Sequence, residues 1–181
     1  MFTVHPTPLA GLVSLEPKAF TDHRGSFVKT FHAPAFQELG LPFEIREEFF
    51  SLSHRHVLRG LHFQAPPTDH AKLVYCPAGA VLDVVLDLRR RSPTCGQFHA
   101  EELTETNRRI LFIPSGLAHG FLTLSESALM VYKTTSVHDP ACDQGIRWDS
   151  IGFPWPLGDA APILSRRDAG FPALADFVSP F

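Results

Sequence analysis

The sequence predicts an all-β fold, a sandwich or jelly roll with a few short helices at its periphery. Three observations carry this. Apolar runs are short and are cut by Gly, Pro, Asp and Ser at roughly the spacing of strands and turns. Several of these runs alternate with period two. Helical patterns are confined to two brief stretches.

The elements follow in chain order. "GSFVKTF" alternates, with Phe27, Lys29 and Phe31 on one face and Val28 and Thr30 on the other. "APAFQELGL" predicts a short helix ending at Gly40. "RGLHFQ" places His62 in a strand that should be buried. In "APPTDHAK", Pro66 and Pro67 cannot donate ladder bonds, so this stretch is a loop at the mouth of the barrel. "KLVYCPAGAVLDVVLDLR" reads as a strand, a Pro77–Gly79 turn and a second strand. In that second strand Val81, Asp83, Val85 and Asp87 face one way, and Leu82, Val84, Leu86 and Leu88 the other. "GQFHAEEL", "RRILFIP", "HGFLTL" and "ALMVYKTTSV" continue the series of strands. The tail from about Trp148 is rich in proline and aromatics and is expected to wrap the barrel. Within it, "SRRDAGFPALADF" holds one or two helical turns. Residues 1–181 are expected to form one domain.

Composition narrows the function. The formal net charge of −3 argues against a nucleic-acid surface. Cys76, Cys95 and Cys142 are odd in number and far apart, which reads as reduced thiols rather than a disulfide framework. No signal peptide is evident at the N-terminus and no apolar run approaches a membrane span, so a cytoplasmic protein with no membrane partner is expected. Sixteen phenylalanines against two tyrosines and two tryptophans predict a dry aromatic interior.

Histidines raise the question of a metal. His62, His70 and His119 lie in segments that a small barrel brings to its mouth. Pro114-x-Gly116-x-x-His119 resembles the second metal-binding motif of the cupin superfamily. That superfamily's first motif has His-x-His and then a glutamate. Here the pair is His62-x-Gln64, and Lys72 sits near the expected glutamate. An ammonium repels a divalent ion and is no ligand while protonated. The metal-free reading therefore leads, and a metal-binding cupin (oxygenase or binding protein) using His62, His70 and His119 is the alternative.

"VLRGLHFQ", "KLVYCPAGAVLDVVLDLRRRSPTCGQF", "IPSGLAHGFLTLSE", "VYKTT", "IRWD" and "PILSRRD" together resemble dTDP-4-dehydrorhamnose 3,5-epimerases. Several motifs in the family's order are more specific than any one of them. The resemblance implies a cupin-like double-stranded β-helix jelly roll, usually a homodimer, without metal or organic cofactor. It implies inversion of C3, C5 or both, next to the C4 ketone of a nucleotide-linked 4-keto-6-deoxysugar, in deoxysugar biosynthesis. Such chemistry needs a base on one face of the ring, an acid on the other, and a group to hold the enolate between.

The resemblance also implies roles. His62 matches the general base and Asp168 its carboxylate partner. Tyr132 matches the acid on the opposite face, and Lys72 the cation beside the enolate oxygen. His119 matches a further substrate contact. Arg24 and Arg59 match positions that grip the nucleotide diphosphate, and Phe27 an aromatic that stacks on the base. Arg167 falls where the family often has lysine, and Asp143 where it often has glutamate. His70, near Lys72, is a candidate to face the sugar. Lys29 stands where a glutamate is usual, and in "EEFFS" Glu47 and Phe49 replace an amide and an asparagine. These swaps change hydrogen-bond polarity where a base would be read, and predict another nucleotide or a differently modified sugar.

Overall fold

Two antiparallel sheets face each other across the interior. The computed structural model describes residues 1–181. The first sheet runs β1 (Phe2–Pro6), β2 (Val13–Pro17), β10 (Ile110–Ile113), β7 (Lys72–Ala78), β12 (Ser127–Thr134) and β5 (Glu47–His54). The second runs β13 (Asp143–Gly145), β6 (Leu58–Gln64), β11 (Leu117–Thr123), β8 (Ala80–Asp87) and β9 (Phe98–Thr104). β3 (Ala19–Asp22) and β4 (Gly25–Val28) pair only with each other, as a separate ribbon. This is the predicted jelly roll with short helices at its edges. No helix is long and apolar enough to cross a membrane.

Period two explains the layers. Inward residues of both sheets, among them Val74, Val81, Val85, Leu111, Phe121 and Met130, form one buried cluster. The outer face of the five-stranded sheet is apolar too: Phe63, Val84 and Leu86 lie under Phe153, Trp155, Phe177 and Phe181 of the tail. Burial on both faces is why β8 reads as a nearly continuous apolar run. On the outer face of the other sheet, Leu15, Leu73, Ile110 and Phe112 pack with Phe36 and Phe43. Phe36 anchors helix α1 (Ala33–Glu38), which His32 caps by accepting from the Ala35 N–H.

Three expectations shift. β4 stops at Val28, opposite the first residue of β3, and Phe31 beyond it packs against Phe36, with ring centroids 5.0 Å apart. The Pro77–Gly79 turn shrinks to Gly79, since β7 continues through Ala78. That turn is a corner: β7 and β8 belong to different sheets. Finally, "EEFFS" belongs to edge strand β5, a strand not expected from the sequence.

The pairing of β6 with β11 breaks register between His119 and Phe121: His119 faces His62, but Phe121 faces Arg59. The extra residue on β6 resets the alternation, so Arg59 and His62, three positions apart, point to the same side. Gly60 lies in this bulge with φ +131°, and a Cβ there would stand 2.5 Å from the Gly120 Cα. Gly60→Ala is therefore expected to lose about 3 kcal/mol of stability, read as a lower urea midpoint at unchanged slope. A midpoint equal to wild type would show that the bulge tolerates a side chain.

Candidate active site

One cavity of about 340 Å³ opens between the sheets. Inward positions of β5, β6, β7, β11 and β12 line it, and loops and the tail form its rim. Ten residues singled out in the sequence meet there: His62, Tyr132, Lys72, Glu47, Phe49, Arg59, His70, His119, Asp143 and Arg167. His62 comes from the five-stranded sheet and Tyr132 from the six-stranded sheet, so they approach the shared space from opposite walls.

Asp168 stands directly behind His62. It sits in the short helix α2 (Arg166–Ala169), whose Ser165 cap accepts from the Asp168 N–H. One carboxylate oxygen is 2.9 Å from His62 Nε2, and the other accepts from the Gly60 N–H at 3.1 Å. Burial pushes the Asp168 pKa up, but the His62 and Gly60 bonds outweigh it and hold the group below the usual carboxylate range. Burial lowers the His62 pKa against the opposing pull of Asp168. At neutral pH the ring is then neutral, with its proton on Nε2 toward the carboxylate and the Nδ1 lone pair free to take another.

Three residues that the sequence reading passed over shape the surroundings of His62 and Tyr132. Phe171 meets His62 edge-on, with centroids 5.6 Å apart, and Arg167 lies 5.3 Å over Phe171. Gly145, opposite His62 in the β13–β6 ladder, makes room for this ring: a Cβ there would be 2.3 Å from Phe171. No local motif announces this contact, because the tail supplies Phe171 from far along the chain. Ser51 is the third, and its hydroxyl is 3.2 Å from the Tyr132 hydroxyl.

Lys72 opens β7 and donates to the His62 carbonyl at 3.1 Å. Burial lowers its pKa to about 8. Tyr132 is 8% exposed, and burial raises its phenol well above the ordinary value. His119 Nε2 is 2.7 Å from Asp83, whose side chain is fully buried. Asp83 had a sequence signal, being a carboxylate in an apolar strand. Arg59 donates its Nε to Ser53 at 2.9 Å, and its terminal nitrogens have no partner within the chain. Arg167 pairs with Asp143 at 2.6 Å, and His138, a rim residue absent from the sequence reading, meets the other Asp143 oxygen at 3.0 Å.

Arg24, Phe27 and Lys29 are not brought to the cavity of their own chain. Arg24 and Phe27 ride on the exposed β3–β4 ribbon, which bonds to neither main sheet, and Lys29 follows it. Arg24 is paired with Asp22 at 2.6 Å. The swapped residues at positions 47 and 49 both line the cavity. Phe49 stacks on Tyr132, and the Glu47 carboxylate accepts from the His138 N–H at 2.7 Å.

His62, His70 and His119 do not make a ligand set. No three His, Cys, Asp or Glu side chains are gathered closely enough to hold an ion. His62 and His119 are cross-strand neighbours, but each turns Nε2 to its own carboxylate. His70 Nδ1 is 3.0 Å from the Ser136 hydroxyl, and burial lowers its pKa to about 4. Gln64 uses both ends of its amide to pin the rim, donating to the Thr68 and Val137 carbonyls and accepting from the Asp139 N–H.

A family model described as dTDP-4-dehydrorhamnose 3,5-epimerase matches residues 6–176. The chain is 42% identical over 177 residues to the dTDP-4-dehydrorhamnose 3,5-epimerase of Salmonella typhimurium, covering 96% of each protein. It is 35% identical over 176 residues to the dTDP-4-dehydrorhamnose 3-epimerase of Streptomyces niveus, covering 96% of this chain and 84% of that one. It is also similar to the crystal structure of a dTDP-6-deoxy-D-glucose-3,5-epimerase from Legionella pneumophila in complex with dTDP-4-keto-L-rhamnose. There the TM-score is 0.94 at 36% identity, covering 98% of this chain and 95% of that one.

Proposed function

The chain belongs to the dTDP-4-dehydrorhamnose 3,5-epimerase family, and from that premise we propose that it inverts C3, C5 or both of a dTDP-linked 4-keto-6-deoxyhexose, in deoxysugar biosynthesis. The observation that carries the proposal is the placement of His62, backed by Asp168, and of Tyr132 on opposite walls of one cavity.

In this reading the His62 Nδ1 takes the proton from a carbon beside the ketone, breaking the C–H bond and leaving an enolate. Asp168 stabilises the imidazolium that forms. Lys72 and His119 hold the negative enolate oxygen, where a fixed charge in a dry site counts most. The Tyr132 hydroxyl then gives its proton to the same carbon from the opposite face, and the new C–H bond completes inversion. The phenolate regains a proton from water and the imidazolium loses one. Arg59 and Arg167 suit the diphosphate through their guanidinium forks, with Asp143 orienting Arg167.

The nucleotide is taken as dTDP because relatives covering nearly the whole chain act on dTDP-sugars by name. This replaces the altered base preference that the sequence suggested, and Phe49, one of the swapped positions, lies beside the Tyr132 phenol. Competition among dTDP, CDP, GDP and UDP should favour dTDP, and preference for another nucleotide would contradict the assignment. Exposed Phe20, Phe27, Phe50 and Leu52 support a homodimer. Arg24 and Phe27 reach a nucleotide in this reading only across a subunit boundary, from the ribbon of one copy to the cavity of another.

The direct test is incubation with dTDP-4-keto-6-deoxyglucose, followed by proton couplings around the sugar ring. Inversion at C3 or C5 is expected, and an unchanged sugar would refute the reading. The pH profile is a second expectation. The base must be neutral, and burial sets the His62 pKa below its ordinary value of about 6.5, so the acid limb of kcat/KM falls below that pH. Lys72 must be charged, and it loses its proton as pH rises through about 8, so the basic limb lies there. Lys72→Met should lower the plateau and remove the basic limb. A wild-type profile flat to pH 10 would contradict the role of the ammonium.

A further inference from the structure

Phe49 is an unusual cavity residue. It is 45% exposed, carries no polar group for a sugar or phosphate, and belongs to an edge strand. Its ring lies nearly parallel to that of Tyr132, with centroids 4.8 Å apart and 14° between planes. The two are direct partners in the β5–β12 ladder. Ser51, two positions along the same face of β5, makes the single side-chain hydrogen bond to the phenol. His119 approaches the Tyr132 ring edge-on at 6.1 Å. β5 thus holds the phenol twice, by the face of its ring and by its oxygen.

Resting on the epimerase reading above, we propose that Phe49 is a positioning residue for Tyr132. Its stacked ring fixes the direction of the phenol O–H and covers the face through which water would reach it. The enolate has two fates. If Tyr132 delivers its proton, the centre inverts. If the phenol is misdirected, the His62 imidazolium exchanges its proton with solvent and reprotonates the original face, and in D2O this appears as exchange without inversion. Phe49 therefore sets the partition between these outcomes. A phenyl ring does this by shape alone; an amide at this position would offer hydrogen bonds and no stack.

The experiment follows deuterium content and configuration together, in D2O, with dTDP-4-keto-6-deoxyglucose. Phe49→Leu and Phe49→Met remove the stack and are expected to raise the ratio of exchange-with-retention to inversion by about two- to tenfold, the range a stacked aromatic pair supports. Phe49→Tyr, which keeps a ring, should be rescued toward the wild-type ratio. In a Tyr132→Phe background, Phe49→Leu should leave the residual inversion rate unchanged, because the group it positions is gone. Loss of the upfield ring-current shift of the Tyr132 ring protons in Phe49→Leu reports the lost stack independently of turnover. A wild-type ratio in both Phe49→Leu and Phe49→Met, or an equal further loss in the Tyr132→Phe background, overturns the proposal while the epimerase reading stands. Absence of any exchange by the wild-type protein overturns both.

Discussion

His62→Ala is expected to reduce proton removal from the sugar by about 100- to 10,000-fold, the usual contribution of a positioned general base. Lys72 cannot substitute. It is charged below pH 8, and its ammonium is turned to the His62 carbonyl. His119 is also paired through Nε2 with a buried carboxylate, Asp83, so surviving exchange in His62→Ala would point to it as the base. Deuterium uptake should therefore fall at every carbon that the enzyme exchanges. His62→Asn provides a control for folding, because its amide can still donate toward Asp168. Both variants should keep the fold and the nucleotide affinity, as Arg59 and Arg167 remain. Exchange at near wild-type rate in either variant would remove His62 from the role of base.

Tyr132→Phe should separate the two half-reactions. The substitution deletes one oxygen and leaves the ring, so the stack with Phe49 and the packing with Val74 and Met130 survive. Removal of the substrate proton should continue within about tenfold of wild type, while inversion should fall by about 100-fold or more, the lower part of the range for a lost general acid. The signature is a sugar that gains deuterium but keeps its configuration. Equal loss of exchange and inversion would assign the phenol to substrate binding or to proton removal, and not to proton return.

Much of this site was legible in the residues. Strand alternation gave the two-sheet fold and put Asp83 and Val85 on one face, which the structure turns inward. The motifs around His62, Lys72, His119 and Tyr132 brought those residues into one cavity. What escaped the sequence depended on departures from regularity or on distance along the chain. Arg59 and His62 share a face only because a bulge breaks the period of two on β6. Phe171 reaches His62 only because Gly145 leaves room for it. Phe49 stood where a base contact was expected, and the ladder pairing that sets it beside Tyr132 cannot be inferred from one strand alone. Arg24 and Phe27 belong to a ribbon that pairs with neither main sheet, and local alternation does not reveal that separation.

The central claim is that one proton leaves toward His62 and a different proton arrives from Tyr132. Its most direct test is a single turnover of the wild-type protein in D2O, with the inverted product examined by proton and deuterium NMR. Each inverted carbon should carry deuterium, because the hydrogen taken by the imidazole on one face is not the one delivered from the other. Inverted product that retains its original hydrogen would mean that a single group carries the proton across the ring, and the two-walled site described here would not be the machinery of the reaction.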